Sequence, residues 1–203
     1  MPETPATAPL DPTTFLRDHV APRSRRRVEE LRAELARLDR ELEDRLGAEG
    51  TVALTIEGVG GGTWYLNLRE GETTVANEPA GEPVVRVYQS REDWEALARA
   101  QLAAQAGGPP GAGDMTRTRI ERLRGLGGTI EFRLATDDGE RIVCVQFGPG
   151  DRSQPRCTLR LRADDARRLQ NNELLPQAAF LQGLVKIDGD LAFAMQVAAA
   201  LMA

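Results

Sequence analysis

The side chains that could carry out chemistry are few. The chain has one histidine (His19), two cysteines (Cys144 and Cys157) and one lysine (Lys186), against 25 arginines. A Cys/His zinc site needs about four ligands at matched spacings, and only three candidates exist. A Ser-His-Asp triad would have to use His19, which lies in a proline-rich leader. Schiff-base chemistry would rest on Lys186 alone. Acidic pairs such as Asp137-Asp138 and Asp164-Asp165 sit where turns and helix caps are expected, and nothing places two carboxylates across a cleft. The inventory argues against an enzyme and implies no cofactor and no metal.

Composition points the same way. The chain has 203 residues, 41% hydrophobic and 28% charged, which is ordinary for a globular protein. Net charge runs unevenly: +2 over residues 1–27, −8 over 28–105 and +1 over 106–203, giving the overall −5. No segment is basic enough for a nucleic-acid footprint, and nine aromatics make a poor stacking platform. No apolar run is long enough to span a bilayer, and no signal peptide is recognisable, so a cytoplasmic location with reduced thiols is expected.

Residues 1–22, rich in Pro, Thr and Ala, read as a disordered tail. Val28, Leu31, Leu35, Leu38, Leu42 and Leu46 then mark one face of a helix closed by Gly47 and Gly50. Packing on the first sheet is the expected use of this stripe, and a helical partner or a homodimer through 28–46 is the alternative. Alternation predicts strands through Val52/Leu54/Ile56, Trp64/Leu66/Leu68 and Val85/Val87, the first two joined by the turn Gly58–Gly62. That turn leads into a strand rather than a helix, so it is a hairpin connection and not a phosphate loop. Ser90 caps a helix to about Ala104, and Gly/Pro-rich residues 106–114 form a linker.

Beyond the linker the order recurs. A short helix at about 115–125 precedes Ile130/Phe132/Leu134, Val143/Val145/Phe147 and Leu159/Leu161, and a helix starts near Asp164. Gly50–Ile56 parallels Gly128–Leu134, Val85-Arg86-Val87 parallels Leu159-Arg160-Leu161, and Glu92-Asp93 parallels Asp164-Asp165. The chain is read as an internal duplication: a helix plus a truncated unit (23–105), the linker (106–114) and a complete unit (115–203). Only the second copy has residues 173–203.

That last segment, Pro176-Gln177-Ala178-Ala179-Phe180-Leu181-Gln182-Gly183-Leu184-Val185-Lys186-Ile187-Asp188-Gly189-Asp190-Leu191-Ala192-Phe193-Ala194-Met195, resembles the closing motif of the sterol carrier protein 2 sterol-transfer family. The resemblance covers about 115–203 well and 28–105 as a truncated copy. It implies an α+β fold: a mostly antiparallel sheet, helices on one side, and an apolar tunnel between the layers. It also implies a non-enzymatic carrier of a sterol, fatty acyl or isoprenoid chain. Leu184 departs from the family, which usually has lysine there.

The residues themselves agree in part. Alternation turns Val185 and Ile187 inward and Lys186 outward; Gly189 makes a tight turn and Asp190 caps a helix without charge from Leu191 onward. That helix has one stripe of Leu191, Met195, Ala198 and Met202 and another of Phe193, Val197 and Leu201, so it is either a core helix or a lid with one stripe on ligand or membrane. The expected ligand wall is Phe132, Phe147, Leu161, Phe180, Ile187, Phe193, Val197 and Leu201. The expected partners are an apolar lipid and transient membrane contact, with no nucleic acid. The alternative function is a structural or interaction module: a filled fold that docks a protein through the acidic first unit or the 28–46 helix. In that reading the truncated copy leaves a sheet edge that contact between the repeats would cover. Cys144 and Cys157 could lie on neighbouring strands, and are read as reduced thiols rather than a disulfide.

Overall fold

The computed structural model describes residues 11–103, 115–170 and 173–201. The linker 106–114 and residues 1–10 lie outside these. Two compact units are formed, one ending at Glu43 and the other running from Asp44 to the C-terminal end.

The first unit is helical. A short helix α1 (Pro12–Phe15) leads through a π-helical turn (Leu16–Val20) into α2 (Ala21–Leu46). Residues 12–22 are therefore helix, which corrects the expected tail over 1–22 for this part. The local chemistry explains it. Asp11 accepts hydrogen bonds from the Thr13 and Thr14 amides and caps the start, and Pro12 stands in the first turn, where its missing N–H costs nothing. Pro22 would clash with the carbonyl four residues back in a regular helix, and the wider turn just before it gives room. Val28, Leu31, Leu35, Leu38, Leu42 and Leu46 are all exposed, Leu35 by 60%.

The second unit contains both repeats in one eight-stranded sheet. The first repeat contributes β1 (Gly50–Glu57), β2 (Gly62–Arg69), β3 (Glu72–Ala76), β4 (Pro83–Ser90) and α3 (Arg91–Ala103). The second contributes α4 (Arg117–Arg124), β5 (Gly128–Thr136), β6 (Gly139–Phe147), β7 (Cys157–Arg162), α5 (Ala163–Gln170), α6 (Pro176–Leu181), β8 (Lys186–Gly189) and α7 (Leu191–Leu201). Strand order is β3-β2-β1-β4-β6-β5-β7-β8.

Each repeat pairs its first strand antiparallel to its second and parallel to a later one: β1 with β2 and β4, β5 with β6 and β7. The registers set the true equivalence. Val52 faces Val85 and Leu54 faces Val87, while Ile130 faces Cys157 and Phe132 faces Leu159. Val85 thus corresponds to Cys157 and Val87 to Leu159, two residues away from the match that letter similarity suggests.

The repeats lack different edges. The first has β3 beside β2 but no closing strand beside β4; the second has β8 beside β7 but nothing of its own beside β6. β4 and β6 pair antiparallel, Val85 facing Phe147 and Val87 facing Val145, so each repeat supplies the strand that the other is missing. The edge left by truncation is covered in this way.

The strand β3 was not foreseen. Its side chains are nearly all exposed, so Glu72-Thr73-Thr74-Val75-Ala76 carries no alternation to read. The turn before it has Glu70 and Gly71 both at positive φ, the geometry of a two-residue hairpin.

Candidate functional site

Paired residues on neighbouring strands point to the same face, so the registers sort the sheet into two sides. One side is polar: Arg86, Tyr88, Gln146, Cys144, Glu131 and Arg133 lie on it, with the Tyr88 hydroxyl donating to Gln146 Oε1 at 3.2 Å and Arg133 paired to Glu131 at 2.7 Å. The other side is apolar and carries the core. Leu68, Val85, Phe147, Ile130 and Cys157 are buried there under Ile120 and Leu123 of α4 and Phe193, Ala194, Val197 and Ala200 of α7.

Further hydrophobic residues flank this core. Val52, Val87, Val145, Phe132, Leu159 and Ile187 pack against it but stay partly exposed. These six belong to β1, β4, β6, β5, β7 and β8, so they form a band of half-buried apolar side chains that crosses the β4–β6 junction and draws on both repeats.

The structure divides the eight expected wall residues. Phe147, Phe193 and Val197 meet in the core, the two rings packed edge-to-face with centroids 6.4 Å apart, and all three are fully buried. Phe132 and Ile187 lie in the half-buried band. Leu161 is buried, facing Leu134. Phe180 and Leu201 are exposed and stand outside the core cluster; Phe180 lies in the last turn of the short α6. The expectation overlooked Val52, Val87, Val145 and Leu159. Their alternation was legible, but membership in one band depends on the β4–β6 pairing, which no local pattern announces.

The sequence around α7 shows why it lies as it does. Gly189, at φ 97°, makes the turn, and a Cβ there would come within 2.5 Å of the Arg156 carbonyl. Asp190 Oδ1 accepts from the Phe193 amide at 2.9 Å and caps the helix. That hydrogen bond, with the Arg156 guanidinium beside it, holds the Asp190 carboxyl below its ordinary range. With the start fixed, Phe193, Ala194, Val197 and Ala200 turn to the sheet and Leu191 and Met195 face outward. Two opposed apolar stripes were expected, and they are present, except that Leu201 leaves the buried one. Met202 lies outside the described residues.

At the other end of this face, Arg141 of β6 reaches Asp93 and Glu92 of α3 at 3.7 and 3.0 Å. Asp44 accepts from the amide and hydroxyl of Thr118 at 3.0 and 2.9 Å. Burial would raise its pKa, but hydrogen bonds from Thr116 and Thr118 and the charge of Arg117 outweigh that and lower it.

A hollow of about 70 Å³ in the second unit is lined by Arg45, Ala48, Leu68, Gly71, Glu72, Thr73 and Met115. None of the eight wall residues lines it. Cys144 and Cys157 are free; they lie on opposite faces of strands separated by β5, so they do not face each other. Burial raises both thiols, Cys157 to about 11. Among the described residues no cluster of three or more His, Cys, Asp or Glu is placed to hold a metal ion, and no helix is long and apolar enough to cross a membrane.

The model of the SCP-2 sterol transfer family matches the chain twice, over residues 30–108 and 115–202. The chain belongs to the SCP-2 sterol transfer family. The two SCP-2 matches correspond to the two repeats that share the sheet. Among solved structures, the chain is similar to sterol carrier protein 2 like 2 from Aedes aegypti (19% identity over 54% of this chain and 96% of that one, TM-score 0.34). It is also similar to sterol carrier protein 2 from Yarrowia lipolytica in its apo form (19%, 42% and 74%, TM-score 0.33). A palmitated form of the Aedes aegypti protein matches at 18% identity over 56% and 95% (TM-score 0.34). At such TM-scores the structural likeness adds nothing to the SCP-2 family match. No curated protein matches the chain.

Proposed function

We propose that the chain is a non-enzymatic lipid-binding carrier that holds the apolar part of a sterol, fatty acyl or isoprenoid ligand against the helix-covered face of its sheet. The observation that carries this reading is the half-buried band of Val52, Val87, Val145, Phe132, Leu159 and Ile187. Apolar surface left partly open beside a packed core is surface a lipid can cover. Removing it from water is worth about 25 cal/mol per Å², and a sixteen-carbon chain fully buried gains on the order of 10 kcal/mol before association costs. Membership in a sterol transfer family supports the same class of ligand.

Ligand pockets commonly enclose about 300–1,000 Å³, so the hollow of about 70 Å³ does not hold such a ligand. In this reading the ligand enters the band as the helices over it shift, and α7 is the element to move. Its outward stripe of Leu191 and Met195 is exposed, and moving the helix would have to lift Phe193, Ala194, Val197 and Ala200 from the core. The experiment is organic extraction of the purified protein with lipid mass spectrometry, paired with displacement of a fluorescent fatty acid. A co-purifying lipid and saturable displacement are expected; neither being seen overturns the reading.

The same small hollow favours the second reading, an interaction module with a filled fold. Complete burial of Phe147, Phe193 and Val197 is what a closed core looks like. An empty extract with no displacement, from a protein that retains a partner through purification, would favour it.

A further inference from the structure

The stripe of α2 is exposed among the described residues, and the charges beside it say what would fit. Residues 21–27 carry Arg23, Arg25, Arg26 and Arg27 and no acid, whereas 28–43 carry three arginines against Glu29, Glu30, Glu34, Asp39, Glu41 and Glu43. The helix is thus basic at its start and acidic further on. A copy of itself running the opposite way meets each end with the opposite charge.

We propose that α2 pairs with α2 of a second copy of this chain as an antiparallel two-helix coil. The spacing 3-4-3-4 through Val28, Leu31, Leu35, Leu38 and Leu42 is that of a coiled-coil seam. Val28 set opposite Leu38 of the second copy, and Leu31 opposite Leu35, brings the basic first turns beside the acidic half. On the flanks Arg25 then meets Asp39 and Arg27 meets Glu41, each twice by symmetry; only Arg32 and Glu34 meet their own kind, at the two-fold axis. The parallel arrangement sets Arg27 against Arg32 and Glu34 against Asp39 on both flanks, with no compensating pair. The ion pairs within the helix, Arg27–Glu30 at 3.4 Å and Arg37–Glu41 at 3.8 Å, are exposed and rearrange at little cost. A 26-residue helix is about 39 Å long, enough for these layers to form along one seam.

Sedimentation of the full chain tests this. The wild type is expected to be a dimer, and Leu31→Asp with Leu35→Asp a monomer whose Asp44–Ala203 unit melts unchanged. The double variants Arg25→Glu/Arg27→Glu and Asp39→Arg/Glu41→Arg should each dimerise about tenfold or more weakly, and an equimolar mixture of the two should recover the wild-type constant, since the 25–39 and 27–41 pairs are then all opposite again. A bismaleimide cross-linker should join Val28→Cys to Leu38→Cys in a mixture. A monomeric wild type, a dimer indifferent to Leu31→Asp/Leu35→Asp, failure of the mixture to recover, or Val28→Cys cross-linking mainly to itself each overturns the proposal.

Discussion

Arg156 lies with its guanidinium 4.3 Å above the ring of Phe193, joining the surface of the molecule to its most buried aromatic. The same guanidinium donates to the Gly127 carbonyl at 2.8 Å and to Asp190 Oδ2 at 2.5 Å. The Arg156 carbonyl also accepts the Asp190 amide at 2.8 Å. One side chain thus ties the loop before β5, the cap of α7 and the ring that anchors α7. Arg156→Ala is expected to destabilise the protein by about 1–2 kcal/mol, lowering the melting temperature by a few degrees. Arg156→Lys should recover only part of this, because an ammonium does not present the planar fork that reaches both partners. Thermal melts of the three proteins check the order.

Phe193 itself is a core residue. Phe193→Ala removes a fully buried ring and should cost about 3–5 kcal/mol, whereas Leu191→Ala and Met195→Ala on the exposed stripe of the same helix should stay within about 0.5 kcal/mol. Urea unfolding of the three variants measures the contrast. Equal costs would mean that α7 is not seated on the side described.

The band gives a separate test of ligand binding. Phe132→Glu or Val87→Glu puts a charge where an alkyl chain would lie, and affinity for a fluorescent fatty acid should fall about tenfold or more. Phe180→Ala, on the exposed end of α6, should leave binding unchanged. A loss at Val87 matters most, since it lies in the first repeat and reaches the site only through the β4–β6 junction.

Acid should weaken the second unit through Asp190 and Asp44. Both carboxyls sit below their ordinary value of 3.8 in the folded chain. The stability they add is therefore fully present above that value and lost as pH falls through the lower folded ones. Asp190→Asn should flatten the decline of melting temperature below pH 4, and Asp44→Asn should do so independently.

The thiols should be slow. Cys157 is buried with its pKa near 11, and Cys144, half-buried, is raised as well, so neither is a ready nucleophile at neutral pH. Native maleimide labelling should reach Cys144 first and Cys157 only on unfolding, with no intramolecular disulfide by mass.

Elements with strong periodicity were legible in the sequence. The strands through Val52, Leu66, Ile130 and Val145, the Ser90 and Asp190 caps and the Gly58–Gly62 hairpin stand where alternation and cap chemistry put them. What was hidden depends on partners distant in sequence. Letter similarity matches Val85 to Leu159, while hydrogen-bond register makes Cys157 its equivalent in the second repeat, because a buried small thiol fills an apolar position without resembling valine. The start at Asp11 was missed for another reason: a leader rich in proline can still be capped into a helix.

The β4–β6 pairing also bears on how such a chain can change. β4 is covered only because β6 has no strand of its own repeat beside it, and the reverse holds for β6, so the two absences protect each other. Separated, the halves would present β4 and β6 as bare templates for strand addition, each ready to recruit whatever extended segment comes first. Duplication here has become mutual dependence: neither half can be discarded, copied elsewhere or exchanged for a free-standing relative without replacing the strand it lends.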